Sequence, residues 1–221
     1  GGIVLGKTVT TEFAVMHPGK TRNPRDIRHT PGGSSSGSAA AVADRMVPLA
    51  FGTQTAGSII RPAAFCGVVG YKPSFGLISR VGVKALSDTL DTVGALARTV
   101  PDAALLAAAL SGRRDLLLDD RAAPETGMRV GICRTHEWPQ AQPEMADALE
   151  SAARRLAGAG IRLREIRLPP DYARLVQAQT DIMFHEQAQS LAHERLAHWE
   201  NISPKLQGIL EAGLAVSVER Y

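Results

Sequence analysis

Residues 31–43 read PGGSSSGSAAAVA, so a run of glycine and serine leads directly into a run of alanine. A glycine- and serine-rich composition is typical of a flexible linker. A linker would not continue into residues 39–43, which favour a helix. Glycine also lets the backbone approach a ligand closely, and a serine before a helix can cap its first turn. From spacing alone, a structural and a functional interpretation are both open.

A second small-residue stretch, GTQTAGS at residues 52–58, leads from a predicted strand into a predicted helix. Successive backbone N–H groups in such a turn point the same way and can hold an oxyanion. Ser58 ends the turn and is placed like the nucleophile of an acyl transfer. The stretch is not the G-x-S-x-G elbow, and no His/Asp pair can be assigned to this serine. The second stretch nevertheless favours a functional interpretation.

The composition is that of a soluble globular protein of one or two domains, with 221 residues, 44% hydrophobic, 21% charged and a net charge of +3. No segment approaches the ~18 apolar residues of a membrane span, and no signal-peptide pattern is present. The charge is too small to indicate a nucleic-acid partner. Cys66 and Cys133 fit a reducing compartment, so we expect a cytoplasmic location. Because the chain opens at Gly1 inside an apolar run, we interpret it as part of a longer polypeptide.

Strand and helix patterns alternate along the chain, which predicts an α/β fold with a parallel or mixed sheet. Residues 17–31 are predicted to form a surface loop. Predicted strands cover residues 3–6, 47–52, 77–83, 128–133 and 161–168. Predicted helices cover residues 37–45, 58–65, 101–110 and 143–159, with one or two more in 171–200.

Several motifs together resemble the amidase signature family. They occur in the family's order, at residues 6–14, 32–43, 52–67, 71–76 and 90–94. The resemblance implies an α/β fold in which a mixed β-sheet is covered by helices on both faces. It also implies that residues 1–221 are part of a single domain, with a signature core at 1–100 and a helix- and strand-rich continuation at 101–221. Within the family, GSIIRP at residues 57–62 looks most like the malonamidase branch.

The family cleaves amides with a Ser–cis-Ser–Lys triad. The motif match assigns two of these three residues in this chain. Ser58 matches the nucleophile and Ser34 the cis-serine. Ser36 and Thr53 match hydroxyls that support the triad. The amides matching the oxyanion hole belong to Thr55, Ala56, Gly57 and Ser58.

The base that this triad needs is a neutral lysine, whose pKa burial must lower from ~10.4. Ser34 would relay the proton from Ser58 to that lysine, and water would then clear the acyl-enzyme. In the family this lysine precedes the segment that resembles residues 1–14. Lys7 and Lys72 match other motif lysines. We therefore expect the 221-residue chain alone to be inactive.

Arg61 is the residue that suggests a substrate. It lies three residues after Ser58, so the two share a face if a helix begins there. A guanidinium suits bidentate binding of a carboxylate, and the malonamidase resemblance assigns it that role. The alternative is an ion pair with a structural carboxylate.

The sequence departs from the common family motif at two positions. Ala56 stands in place of glycine, and Gln54 stands in place of aspartate.

The predicted activity is hydrolysis of a small carboxylate-bearing amide such as malonamate, without metal or cofactor, in a possible homodimer. One alternative is the amidase subunit of a glutamine-dependent tRNA amidotransferase, and another is a non-catalytic amidase remnant. The pairs His185-Glu186 and His193-Glu194 lack the H-E-x-x-H spacing of a zinc site, so we assign them to a solvated helix face.

Overall fold

The computed structural model describes residues 2–118 and 127–221. The chain divides into two compact units. The first comprises Gly1–Leu118 and Gln179–Tyr221, and the second Asp119–Ala178. The assignment of the whole chain to a single domain stays a prediction.

The helices and strands follow the predicted alternation over most of the described chain. The strands are β1 (Leu49–Gln54), β2 (Val69–Tyr71), β3 (Thr92–Ala97), β4 (Arg129–Cys133) and β5 (Arg162–Ile166). The helices are α1 (Ser36–Ala43), α2 (Ile60–Cys66), α3 (Val100–Ser111), α4 (Pro143–Gly158), α5 (Leu175–Ser190), α6 (Ala192–Ala197) and α7 (Pro204–Leu214). No described helix has both the length and the apolar character needed to cross a membrane.

The sheet of the first unit has the order β1-β3-β2, with β3 antiparallel to both neighbours. Every residue of β3 is buried. Leu96 packs in a cluster with α1 and α2, whereas Ala95 and Ala97 pack with Ala103 of α3. Because successive side chains of a strand point to opposite faces, helices cover both faces of this sheet.

A second core of this unit gathers around α7. Its buried side chains are Leu86, Ala188, Leu191, Ile202, Leu206 and Leu210. Ser203 caps α7 by accepting a hydrogen bond from the amide of Leu206 at 3.3 Å. The Glu12 carboxylate in turn accepts from the Ser203 amide at 2.9 Å and from its hydroxyl. The first segment of the chain is thereby bonded to the start of α7.

The second unit contains a parallel pair, β4 and β5, in which Val130 lies opposite Leu163. Helix α4 packs on β5. Arg134 follows β4 and forms ion pairs with Glu150 and with Glu165, the latter at 3.3 Å.

The α/β class with helices on both faces of a sheet is confirmed, but two predicted strands are wrong. Residues 3–6 pair with no strand among the described residues, and Ile3 is 89% exposed. Residues 77–83 form bends and a turn, and Val81 is 95% exposed. Three elements were not predicted: β2, β3 and α7.

Candidate active site

The two small-residue stretches meet in the structure, at the starts of α1 and α2. The Ser35 amide donates a hydrogen bond to the Ser58 carbonyl at 3.2 Å. The Ser35 hydroxyl bonds both the amide and the carbonyl of Thr53, each at 3.3 Å. Ser35, which sequence reasoning did not single out, therefore joins the loop before α1 to the end of β1.

Ser34 lies inside this junction. The peptide bond between Gly33 and Ser34 is cis. The Ser34 carbonyl accepts from the Thr11 amide at 3.2 Å and from the Thr10 hydroxyl at 2.9 Å. Its side-chain oxygen is buried, and among the described residues it has no hydrogen-bond partner. A buried hydroxyl without a partner is uncommon in folded proteins and suits a site that bonds a further group.

The turn from Thr55 to Ser58 presents consecutive backbone amides. Within residues 2–118 and 127–221, none of the four amides donates to a protein acceptor. The Gly57 carbonyl accepts from the Arg61 amide at 2.8 Å, which starts α2. Ala56 does not take a positive φ, so its methyl group adds no backbone strain. The amides are thus available to an anionic oxygen, with Ser58 half-buried at the end of the turn.

The side chains of Gln54 and Thr55 hold the two ends of this turn, through contacts that the sequence did not predict. The Gln54 amide oxygen accepts from the amides of Ile59 and Ile60, at 2.9 and 3.0 Å. The Thr55 hydroxyl donates to Asp91 at 2.6 Å. Asp91 belongs to the motif at residues 90–94, and this was the sequence feature that could have drawn attention to it. For the Gln54 contact, the only such feature was that glutamine replaces the aspartate usual in the family.

Among the described residues, the hydroxyls of Ser36 and Thr53 form no hydrogen bond with those of Ser34 or Ser58. The Ser36 hydroxyl donates to the Val9 carbonyl at 3.5 Å, a long hydrogen bond. The backbone of Thr53 bonds Ser35, while the residue lines a cavity of about 850 Å³ next to the turn. Their role in supporting the triad stays a prediction.

Arg61 lies across the turn and reaches the loop that carries Ser34. Its Nη1 donates to the Gly33 carbonyl at 3.1 Å. A Cβ added to Gly57 would lie 2.9 Å from its Nη2, so the guanidinium passes directly over this glycine. No carboxylate forms an ion pair with Arg61 in the part of the chain that the structure describes. The exposed guanidinium is therefore close to the candidate nucleophile and open to an anion.

The lysines of the motifs lie in other settings. Lys7 is exposed and lines the cavity next to the turn. Lys72 Nζ donates to the Pro73 carbonyl at 2.6 Å. The described residues hold no group of three or more metal-binding side chains.

The assignment of Glu186 to a solvated helix face is wrong. Its side chain is buried and accepts hydrogen bonds from the hydroxyls of Ser87 (2.5 Å), Thr89 (2.6 Å) and Tyr221 (2.6 Å). Burial alone would raise the pKa of Glu186, but these hydrogen bonds outweigh it and lower the pKa below its usual value. Glu186 thereby anchors the loop that precedes β3.

Comparison with known proteins shows the family of the chain. The sequence matches the family model described as Amidase over residues 1–220. The chain belongs to the amidase family. This amidase-family chain is 40% identical over 191 residues to a subunit of the glutamyl-tRNA(Gln) amidotransferase of Clostridium botulinum, and 41% identical over 186 residues to its counterpart from Syntrophobacter fumaroxidans. These alignments cover 78% and 76% of the chain but 39% and 38% of the relatives.

Solved structures carry the same fold. A crystal structure titled as an amidase superposes with a TM-score of 0.86 at 32% identity, covering 96% of this chain and 49% of the other. The peptide amidase of Stenotrophomonas maltophilia gives a TM-score of 0.77 at 32% identity, covering 98% of this chain and 53% of the other. The chain spans about two fifths of the length of the curated relatives it matches, and about half of these solved chains.

Proposed function

We propose that this amidase-family chain carries the nucleophile and the oxyanion site of an enzyme that hydrolyses small amides through an acyl-enzyme. The main observation behind the proposal is the buried hydroxyl of Ser34, which has no partner in the described part of the chain and lies on a loop bonded to the Ser58 carbonyl. The amides of residues 55–58, which donate to no described acceptor, add a place for the negative oxygen.

In the proposed reaction, Ser58 Oγ attacks the amide carbonyl carbon. The Ser58 proton passes to Ser34 while Ser34 gives its own proton to the base. The carbonyl oxygen becomes negative and is held by the amides of residues 55–58. The C–N bond then breaks, and the amine leaves with a proton returned along the same path. Water hydrolyses the resulting ester and releases the acid.

The base in this proposal is the lysine that the family resemblance assigns to a segment before residue 1. That lysine must be neutral to accept a proton, which burial favours. The 221-residue chain without it is expected to show no amide hydrolysis. Hydrolysis by the purified chain at the rate of a lysine-bearing version would contradict this assignment.

For the substrate, we propose a short amide with a carboxylate, of the malonamate type. Arg61 lies in the first turn of α2, three residues beyond Ser58, and is not paired with a carboxylate of the described chain. In malonamate a single CH₂ separates the carboxylate from the amide carbonyl. A guanidinium this near the nucleophile suits such a short spacing better than a longer one.

The second candidate is glutamine as the amide donor, as in a tRNA amidotransferase. It is favoured by the 40% identity to a protein of that enzyme. Glutamine also carries a carboxylate, but this lies farther from its amide and beside an ammonium group. Relative rates on malonamate and glutamine, with and without partner subunits, separate the two candidates.

The test compares malonamate with propionamide, its neutral counterpart, in a protein that includes the lysine segment. Ser58→Ala should abolish hydrolysis and labelling by a serine-reactive fluorophosphonate. Arg61→Leu should raise KM for malonamate about 10- to 100-fold, the value of a charge-assisted hydrogen bond. The KM for propionamide reports any disturbance of the site caused by losing the contact between Arg61 and Gly33. The KM of Arg61→Lys for malonamate should lie between those of the wild type and Arg61→Leu. Equal effects on both amides would contradict the role of Arg61.

A further inference from the structure

We propose that Asp91 is a positioning residue for the turn from Thr55 to Ser58, whose amides would hold the oxyanion. Asp91 acts on this turn through the hydroxyl of Thr55. Asp91 lies immediately before β3, outside the two small-residue stretches. The effect of Asp91 on catalysis rests on the proposed function. Its effect on the order of the turn does not depend on that function.

The Asp91 carboxylate is held firmly enough to serve as an anchor. It is only 7% exposed. One oxygen accepts from the amides of Leu86 and Ser87, at 2.7 and 3.1 Å. The other accepts from the Thr55 hydroxyl at 2.6 Å. Three donors therefore compensate the burial of this charge and fix its orientation.

The sheet places this anchor beside the turn. Thr92, the next residue, lies opposite Gln54, which immediately precedes Thr55. The backbone ladder thus sets the distance between the strand ends, and the Asp91–Thr55 bond sets the direction in which the turn leaves β1. The Gln54 contact with Ile59 and Ile60 closes the far end of the same turn, so freeing the near end should weaken it.

The anchor itself is tied to α5. Glu186 accepts from the Thr89 amide at 3.1 Å and from the Ser87 and Thr89 hydroxyls. A path of hydrogen bonds therefore runs from Glu186 through the loop to Asp91 and on to Thr55. Oxyanion donors must be held within about 0.5 Å of the productive geometry, and this path supplies the rigidity.

The experiment uses the pair Thr55→Val and Thr55→Ser, of which only the second keeps the hydroxyl. In the 221-residue chain, hydrogen exchange should quicken about tenfold at the amides of Ile59 and Ile60 in Thr55→Val. Exchange at the amides of Leu86 and Ser87, which bond the other Asp91 oxygen, should not change. Thr55→Ser should restore slow exchange at Ile59 and Ile60. Wild-type exchange at these amides in Thr55→Val would overturn the proposal.

The catalytic consequence is measured as the rate of fluorophosphonate labelling in the lysine-bearing protein. Thr55→Val should lower it about 10- to 100-fold, since a misplacement of about 1 Å costs on the order of 10²-fold. Thr55→Ser should recover most of that loss. Asp91→Ala removes the acceptor of Thr55, so combining it with Thr55→Val should cause little loss beyond that of Asp91→Ala alone.

The outcomes separate the two proposals. If wild-type protein labels at Ser58 and Thr55→Val labels equally fast, the positioning role is overturned. If wild-type protein does not label at Ser58, the proposed function fails, and the exchange experiment still decides whether Asp91 orders the turn.

Discussion

Gly208 and Gly213 lie on the same helix, α7, in different surroundings. A Cβ added to Gly208 would meet no atom within 4 Å. A Cβ added to Gly213 would lie 2.7 Å from the Phe184 carbonyl carbon, closer still to its oxygen, and 3.1 Å from the Ala188 methyl group. The two alanine variants therefore share one change in helix propensity but differ in packing against α5.

The expected effects have opposite signs. Gly208→Ala should stabilise the protein by up to about 1 kcal/mol, because alanine is the better helix former. Gly213→Ala gains the same free energy from helix propensity, but its methyl group would press against the backbone carbonyl of Phe184. That carbonyl belongs to α5 and can move only with the helix. Overpacking of this kind costs roughly 1–3 kcal/mol or more, so the two variants should differ by about 1–3 kcal/mol or more.

Urea unfolding of the two variants and the wild type measures this difference, with signals from both units followed separately because the chain divides into two. The midpoint of the first unit should move up for Gly208→Ala and down for Gly213→Ala. Equal midpoints for the two variants would refute the reasoning from the packing of α7 on α5.

Three further predictions concern other described residues. Folding stability should fall as the pH drops below about 4.5, the pKa of Glu186 in the unfolded chain, because the pKa is lower in the folded state and the unfolded chain therefore binds the proton first. Glu186→Gln should flatten this part of a curve of stability against pH. An unchanged slope in the variant would contradict this role of Glu186. Cys66, which is fully buried and whose pKa is raised by burial, should react with iodoacetamide much more slowly than the partly exposed Cys133, as peptide mass spectrometry would reveal. Asn23→Ala should cost about 1–3 kcal/mol in urea unfolding, because it removes hydrogen bonds at 2.8 Å to the Phe65 carbonyl and at 2.9 Å from the Arg25 amide; a loss of a few tenths would show that these bonds matter little.

The helices with clear end signals were predictable from the sequence. Helix α3 has proline in its first turn and the Thr99 cap, and α4 is followed by Gly160 with φ of 81°. The turn that ends in Ser58 was predictable because its small residues lie between a strand and a helix. Its neighbours across the fold were not, because the contact of Asp91 with Thr55 spans 36 positions.

The errors in the strands have a common physical origin. β3 reads TVGALA and is buried on both faces, so its side chains show no alternation between polar and apolar types. Residues 3–6 are apolar yet exposed, so hydrophobicity alone placed a strand where the described chain supplies no partner. Glu186 was misjudged because its partners lie about a hundred residues upstream and at residue 221.

The position of β3 also bears on how the protein is made. The last of the three strands to be synthesised lies between the two earlier ones, which do not pair with each other. A ribosome-bound chain must therefore present two open strand edges until residue 97 has emerged, a state in which aggregation competes with folding. The arrival of this strand pairs both of these edges and brings Asp91 to the turn before Ser58. Glu186, which bonds the loop before Asp91, is synthesised about a hundred residues later, so the sheet forms before its loop is fully anchored.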